Sequence, residues 1–120
     1  MKTKNCNQLH TLVHVGARSS VSPEKIVLLE SDSNYTKIIL KDGSIIFSST
    51  TMGVIEKRLS GYNFFRPNRS TIINLQYFDQ VKNHSKDKAS LSLRGGGLKK
   101  KFEIKISRRR QATFFENFNL

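Results

Sequence analysis

Three clusters of side chains in this 120-residue chain have types and spacings suited to chemistry. The first is Arg66-Pro67-Asn68-Arg69-Ser70, set between Phe64-Phe65 and the apolar pair Ile72-Ile73. Pro67 fixes its own φ and pushes Arg66 toward extended backbone, so the segment reads as a stiff turn. Asn68 and Arg69 have the side-chain shapes that pair with adenine and guanine edges, and the hydroxyl of Ser70 suits a phosphate oxygen. A preordered turn also loses less entropy on binding. The same polar groups would equally satisfy the backbone of a turn, and these residues alone leave both readings open. Asn74 reads as a turn-satisfying residue.

The second cluster is Arg108-Arg109-Arg110 behind Ser107. If Ser107 caps a helix, three cations occupy its first turn, where the helix already carries about half a positive charge. A charge there is typically worth about 0.3–1 kcal/mol, so the placement costs stability in the free protein. A docked phosphate would turn it into an anion site, with backbone N–H groups assisting. The bland alternative is that the three side chains splay into water, screened by salt. The third cluster, Cys6, His10 and His14, is spaced by fours. Its segment reads as a strand, which leaves two histidines on one face without a third ligand, so no metal site is expected. The carboxylates fall at turns or among lysines, and none accompanies a nucleophile motif. No catalytic residue, cofactor or enzymatic activity is expected.

The charge balance points the same way as the arginines. Twenty-one Lys and Arg stand against nine Asp and Glu, for a net charge of +12. Residues 1–60 contribute +3 and residues 61–120 contribute +9. Such an excess gathers polyanions and repels other cations. The single cysteine forbids an internal disulfide, the N-terminus lacks an apolar signal core, and no run is long enough to cross a bilayer. The cytoplasm is the expected compartment, with no membrane partner.

The elements that must carry these clusters are short and β-like. Strands are predicted over 9–15, 21–30 (where a Ser-Pro turn precedes the compact apolar run), 35–40, 44–49, 76–83, 88–94 and 102–106, each with period-two or compact apolar content. Lys41-Asp42-Gly43 between β-branched runs is a hairpin signal. In TTMGVIEKRLSG the period changes: Met52, Ile55 and Leu59 share one face of a short helix that ends at Gly61. A second helix follows Ser107, with Ala112, Phe115 and Phe118 on a stripe and Phe114 adjacent. Lys99, Lys100 and Lys101 after three glycines read as a hairpin tip. The expected fold is mainly β: a compact set of antiparallel strands with two short helices, forming one domain over 9–120 behind a tail of residues 1–8. Tyr35, Tyr62 and Tyr77 read as the available aromatics, while the phenylalanines alternate as core.

Three landmarks, IVLLESDSNYTKIILKDGS, FFRPNRSTIINLQYFDQV and IKISRRR, occur in the order and spacing of a known family. Over residues 9–118 the chain resembles the LytTR DNA-binding domain of bacterial transcription regulators. Many members have His where this chain has Asn68. The resemblance implies a mostly antiparallel β fold and sequence-specific binding of duplex DNA. Loops and strand ends enter successive major grooves, often at paired direct repeats, with a homodimer on DNA as one arrangement. The implied DNA contacts are Tyr35, Thr36 and Lys37, the turn Asn68, Arg69 and Ser70, and Arg108. Arg69 and Arg108 are assigned to base edges, Thr36 or Lys37 to base or phosphate, and Lys99, Lys100, Arg109 and Arg110 to backbone attraction. Phe64, Phe65, Ile72, Ile73, Phe78, Phe102, Ile104 and Phe115 are assigned to the core. Members commonly carry a receiver domain ahead of this module; the few residues before the first strand leave no room for one, so the chain reads as an excised domain or a stand-alone regulator. Two other readings compete: a β module that stacks single-stranded nucleic acid such as RNA on exposed aromatics, and an interaction module for an acidic protein.

Overall fold

The hairpin signal at Lys41-Asp42-Gly43 is where the sheet is easiest to build. Gly43 adopts φ +91, the left-handed conformation that closes a three-residue turn. Asp42 Oδ1 accepts bonds from the N–H and the hydroxyl of Ser44, and these hold its carboxyl below the usual carboxylate range. The flanking strands are β4 (Tyr35–Leu40) and β5 (Ile45–Ser48). The structure is a computed structural model and describes residues 12–16, 18–85, 88–94 and 101–118. The expected tail and the tip at Lys99 and Lys100 lie outside the described residues.

β1 (Val13–Gly16) and β2 (Ser19–Val21) form a small hairpin, and a single 3-10 turn leads into β3 (Ile26–Asp32). After β4 and β5 come α1 (Met52–Arg58), β6 (Phe64–Asn68) and β7 (Thr71–Asn74). The chain continues through β8 (Phe78–Ser85), β9 (Lys88–Leu93), β10 (Phe102–Ile106) and α2 (Arg108–Phe118). Three antiparallel sheets result: β1-β2, β10-β9-β8, and a central five-stranded sheet in the order β5-β4-β3-β7-β6. The mainly β, antiparallel architecture with two helices is therefore the one the sequence predicts. The Ser22-Pro23 turn read ahead of the apolar run is present as the 3-10 turn at Pro23–Lys25, with β3 following it. Of the predicted first strand, residues 9–11 lie outside the described residues and β1 takes Val13–Gly16.

Alternation along the central strands divides the interior into two cores. Leu29, Ile38 and Ile72 face one side, where Val13 and Val15 of β1 and Met52, Ile55 and Leu59 of α1 cover them. Leu28, Ile39 and Ile73 face the other, beneath Leu91 and Leu93 of β9, Ile104 and Ile106 of β10, and Phe114 of α2. The central sheet is thus a wall packed on both faces. A bulge between Ile26 and Leu28 lets Val27 join Leu28 in the second core. In α2 the buried ring belongs to Phe114, fully enclosed, while Phe115 is half-buried and Ala112 exposed. The predicted stripe was thus off by one residue, because tandem phenylalanines satisfy a helical period at either position.

Two buried polar side chains tie the strand ends together. Asn74 donates from Nδ2 to the carbonyl of Ile26 and accepts the N–H of Gln76, as a turn-satisfying role requires. Tyr77 is buried, not available, and its hydroxyl donates to the carbonyl of Glu24 at 2.6 Å. Burial pushes its phenol pKa up.

Candidate nucleic-acid interface

The Asn68–Ser70 turn is built by its own side chains. Asn68 Oδ1 accepts the N–H of Ser70 at 2.9 Å and its hydroxyl at 3.1 Å, an Asx-type turn. Its Nδ2 donates to the carbonyl of Lys105 at 2.7 Å. Asn68 and Ser70 thus engage their polar atoms within the turn and with β10, while Arg69 is exposed at its apex. Pro67 is buried within β6, an edge strand, which is where a strand tolerates proline. A bulge between Phe65 and Asn68 absorbs the missing donor.

This turn is the hub of a continuous strip of backbone. On one side, the N–H of Ser107 donates to the carbonyl of Pro67 at 2.9 Å, which fixes the start of α2 beside the turn. The Ser107 carbonyl accepts the N–H groups of Arg110 and Gln111, the first bonds of that helix. Arg108, Arg109 and Arg110 are exposed on its first turn, with no acidic residue among them. On the other side, the N–H of Ser31 donates to the carbonyl of Ser70 at 2.9 Å, and Ser31 pairs with Thr36 across the β3–β4 hairpin. The tip of that hairpin holds Ser33 at φ 56, a left-handed conformation that costs a non-glycine residue about 1 kcal/mol.

Strand register then fixes which side chains share a face. Lys37 pairs with Glu30 and with Phe47, Glu30 with Thr71, and Thr71 with Asn68. Tyr35 lies two residues from Lys37, hence on the same face. Tyr35 is 54% exposed and Phe47 is 56% exposed, so two aromatics flank Lys37. Phe47 corrects the expectation that the phenylalanines are all core. Thr36 points the opposite way. It is 2% exposed, and its hydroxyl donates to the carbonyl of Thr50 at 2.8 Å. Thr36 is therefore a poor groove contact, and this expected site residue is better read as structural.

Sequence reasoning missed two contributors. Lys105 is exposed and sits beside the turn through its carbonyl; the outward phase of FEIKI was the available signal. Arg66, grouped with the turn as a second cation, is half-buried and bonded inward, to Glu56 at 2.8 Å and to the carbonyl of Arg69 at 2.6 Å. Nothing local in sequence announces a partner ten residues away on α1. Of the Cys6, His10 and His14 trio, only His14 falls among the described residues, and Arg58 donates to its carbonyl at 3.0 Å. No group of three metal-ligating side chains occurs among the described residues.

Fold and site together define a basic, β-rich binding module that presents arginines from a turn and a helix start. Comparison with known proteins makes the class specific. The LytTr DNA-binding domain family matches residues 17–119, and the chain belongs to that family of DNA-binding domains. The structure is similar to the LytTr DNA-binding domain of a methyl-accepting/DNA response regulator from Bacillus cereus. The TM-score is 0.72 at 15% identity, over 92% of this chain and 96% of that one, a likeness of fold. Comparison with curated proteins gives no significant match. No helix among the described residues is long and apolar enough to cross a membrane.

Proposed function

We propose that this domain reads a specific sequence in duplex DNA for a bacterial transcription regulator, acting in the cytoplasm. Loops and strand ends enter the major groove. The observation that carries the reading is the hydrogen-bonded strip joining the β3–β4 hairpin, the Asn68–Ser70 turn and the start of α2. Arg69 and Arg108 take base edges, since a guanidinium pairs with guanine through two parallel bonds. Tyr35 and Lys37 take base or sugar-phosphate on the flank. Arg109, Arg110 and Lys105, with Lys99 and Lys100 of the segment between β9 and β10, attract backbone phosphates. Asn68 and Ser70 hold the turn in shape. Paired direct repeats, with two copies on one DNA, are the expected arrangement.

One observation favours a second reading. Tyr35 and Phe47 beside Lys37 are exposed aromatics of the kind on which single-stranded bases can stack. Fluorescence anisotropy with matched duplex and single-stranded oligomers separates the two. Tighter binding to duplex supports groove reading. Tighter binding to the single strand, lost in Phe47→Ala and Tyr35→Ala, supports stacking instead.

A further inference from the structure

Arg66 occupies an unusual position for a cation in a basic DNA-binding domain, because it faces inward. Its side chain is 23% exposed, and its guanidinium is used as a fork. Nη1 meets Glu56 Oε1 of α1 at 2.8 Å, while Nη2 donates to the carbonyl of Arg69 at 2.6 Å. Its Nε is buried with no hydrogen-bond partner among the described residues. A buried donor left unpaired costs about 1–3 kcal/mol, so the orientation must be held by the two bonds that are made. Their acceptors are far apart in sequence. One is the backbone of the residue at the apex of the recognition turn. The other is a carboxylate on a helix that takes no part in the interface.

We infer that Glu56 is a positioning residue for DNA recognition, acting through Arg66 on the backbone of Arg69; this rests on the groove-reading role proposed above. The Asx turn of Asn68 fixes the N–H of Ser70, and β3 holds the Ser70 carbonyl. The Arg69 carbonyl lies in the same peptide plane as that N–H, at its opposite edge, and this plane sets the direction from which the Arg69 side chain departs. Asn68 holds one edge of the plane and Arg66 the other. Glu56 aligns Arg66, since a guanidinium presents its donors in a rigid planar array and anchoring one end orients the other. Glu56 itself is 44% exposed, and the Arg66 guanidinium stands between it and the Arg69 backbone.

The sign of the effect distinguishes this role from simple electrostatics. Removing a carboxylate from a protein of charge +12 should leave binding to random DNA unchanged or strengthen it. Positioning predicts that recognition of the preferred site weakens at the same time. The test measures affinity of the full chain for its selected duplex and for random duplex, in wild type, Glu56→Gln and Arg66→Lys. Arg66→Lys retains a cation for Glu56 but replaces the fork by a single point charge. Both variants are expected to lower the specific-to-random affinity ratio by about two- to thirtyfold. Amide hydrogen exchange on the DNA-free protein is expected to rise at Ser70, whose N–H shares a peptide plane with the Arg69 carbonyl, and to stay constant at Gly43. An unchanged ratio, or affinities that fall equally on both duplexes, would overturn the inference while leaving the groove-reading proposal intact. Unchanged exchange at Ser70 overturns the positioning step independently of any DNA result. A wild-type protein that does not discriminate between the duplexes overturns both.

Discussion

In the proposed reading recognition concentrates on Arg69, because the polar side chains on either side of it in the turn are engaged in hydrogen bonds and its guanidinium stands exposed at the apex. Arg69→Ala is expected to cost about 1–3 kcal/mol on the preferred duplex and to relax preference at the base it touches. Anisotropy titrations on the preferred duplex and on its single-base variants measure this; equal loss on all of them would make Arg69 a phosphate contact only. Thr36 gives the opposite expectation. Thr36→Val removes one buried hydrogen bond to the Thr50 carbonyl. It should lower stability by about 1–3 kcal/mol while leaving affinity per folded molecule unchanged. Thermal unfolding and titration together check that split, and a large affinity loss without a stability loss would restore Thr36 to the interface. The sequence did contain the signal for this residue. Thr36 and Ile38 share a strand face, so a core Ile38 implies a buried Thr36. Lys37, of opposite phase, was readable as outward. The inward turn of Arg66 was not, since its acceptor on α1 becomes a neighbour only once the sheet and helix have packed.

Among the elements, the ones most legible in sequence were those fixed by local chemistry. Gly43 and Asp42 specify the β4–β5 turn almost alone, and Met52, Ile55 and Leu59 specify the buried face of α1. β6 was harder, because proline in an apolar run argues against a strand unless the strand lies at an edge and bulges. Whether β6 is an edge depends on a five-strand order that no local window contains. The close approach of β1 to the end of β5 was equally hidden. Gly16 adopts φ +89, and a Cβ there would overlap the hydroxyls of Ser48 and Thr50. Gly16→Ala should therefore destabilise the domain by about 2–5 kcal/mol, combining overpacking with a left-handed backbone. Chemical denaturation measures it; a loss below about 1 kcal/mol would mean that the β1-β2 hairpin is not held against β5. Ser48 pairs with Thr36 and the Thr50 carbonyl accepts its hydroxyl, so the β1-β2 hairpin lies against the residues that hold Thr36.

For the molecule as a whole, an uneven charge is laid over a rigid scaffold. The second half of the chain carries +9 of the +12, and it contributes both the Asn68–Ser70 turn and the start of α2. Such a field draws any nucleic acid, and most of that attraction is release of counterions. Specificity has to come from the few side chains held in fixed geometry by a sheet packed on both faces. Charge and resemblance were readable from the sequence, whereas the way the three segments are bonded into one strip was visible only in the fold. The most direct test is selection of binding sites from a random duplex library, followed by titration of the winner across salt concentrations. A discrete duplex sequence is expected to be enriched, with log affinity falling against log salt at about −0.9 per phosphate neutralised, and with base preferences that collapse at one position in Arg69→Ala. Recovery of unselected sequence, bound no better than random duplex at every salt concentration, would contradict the account.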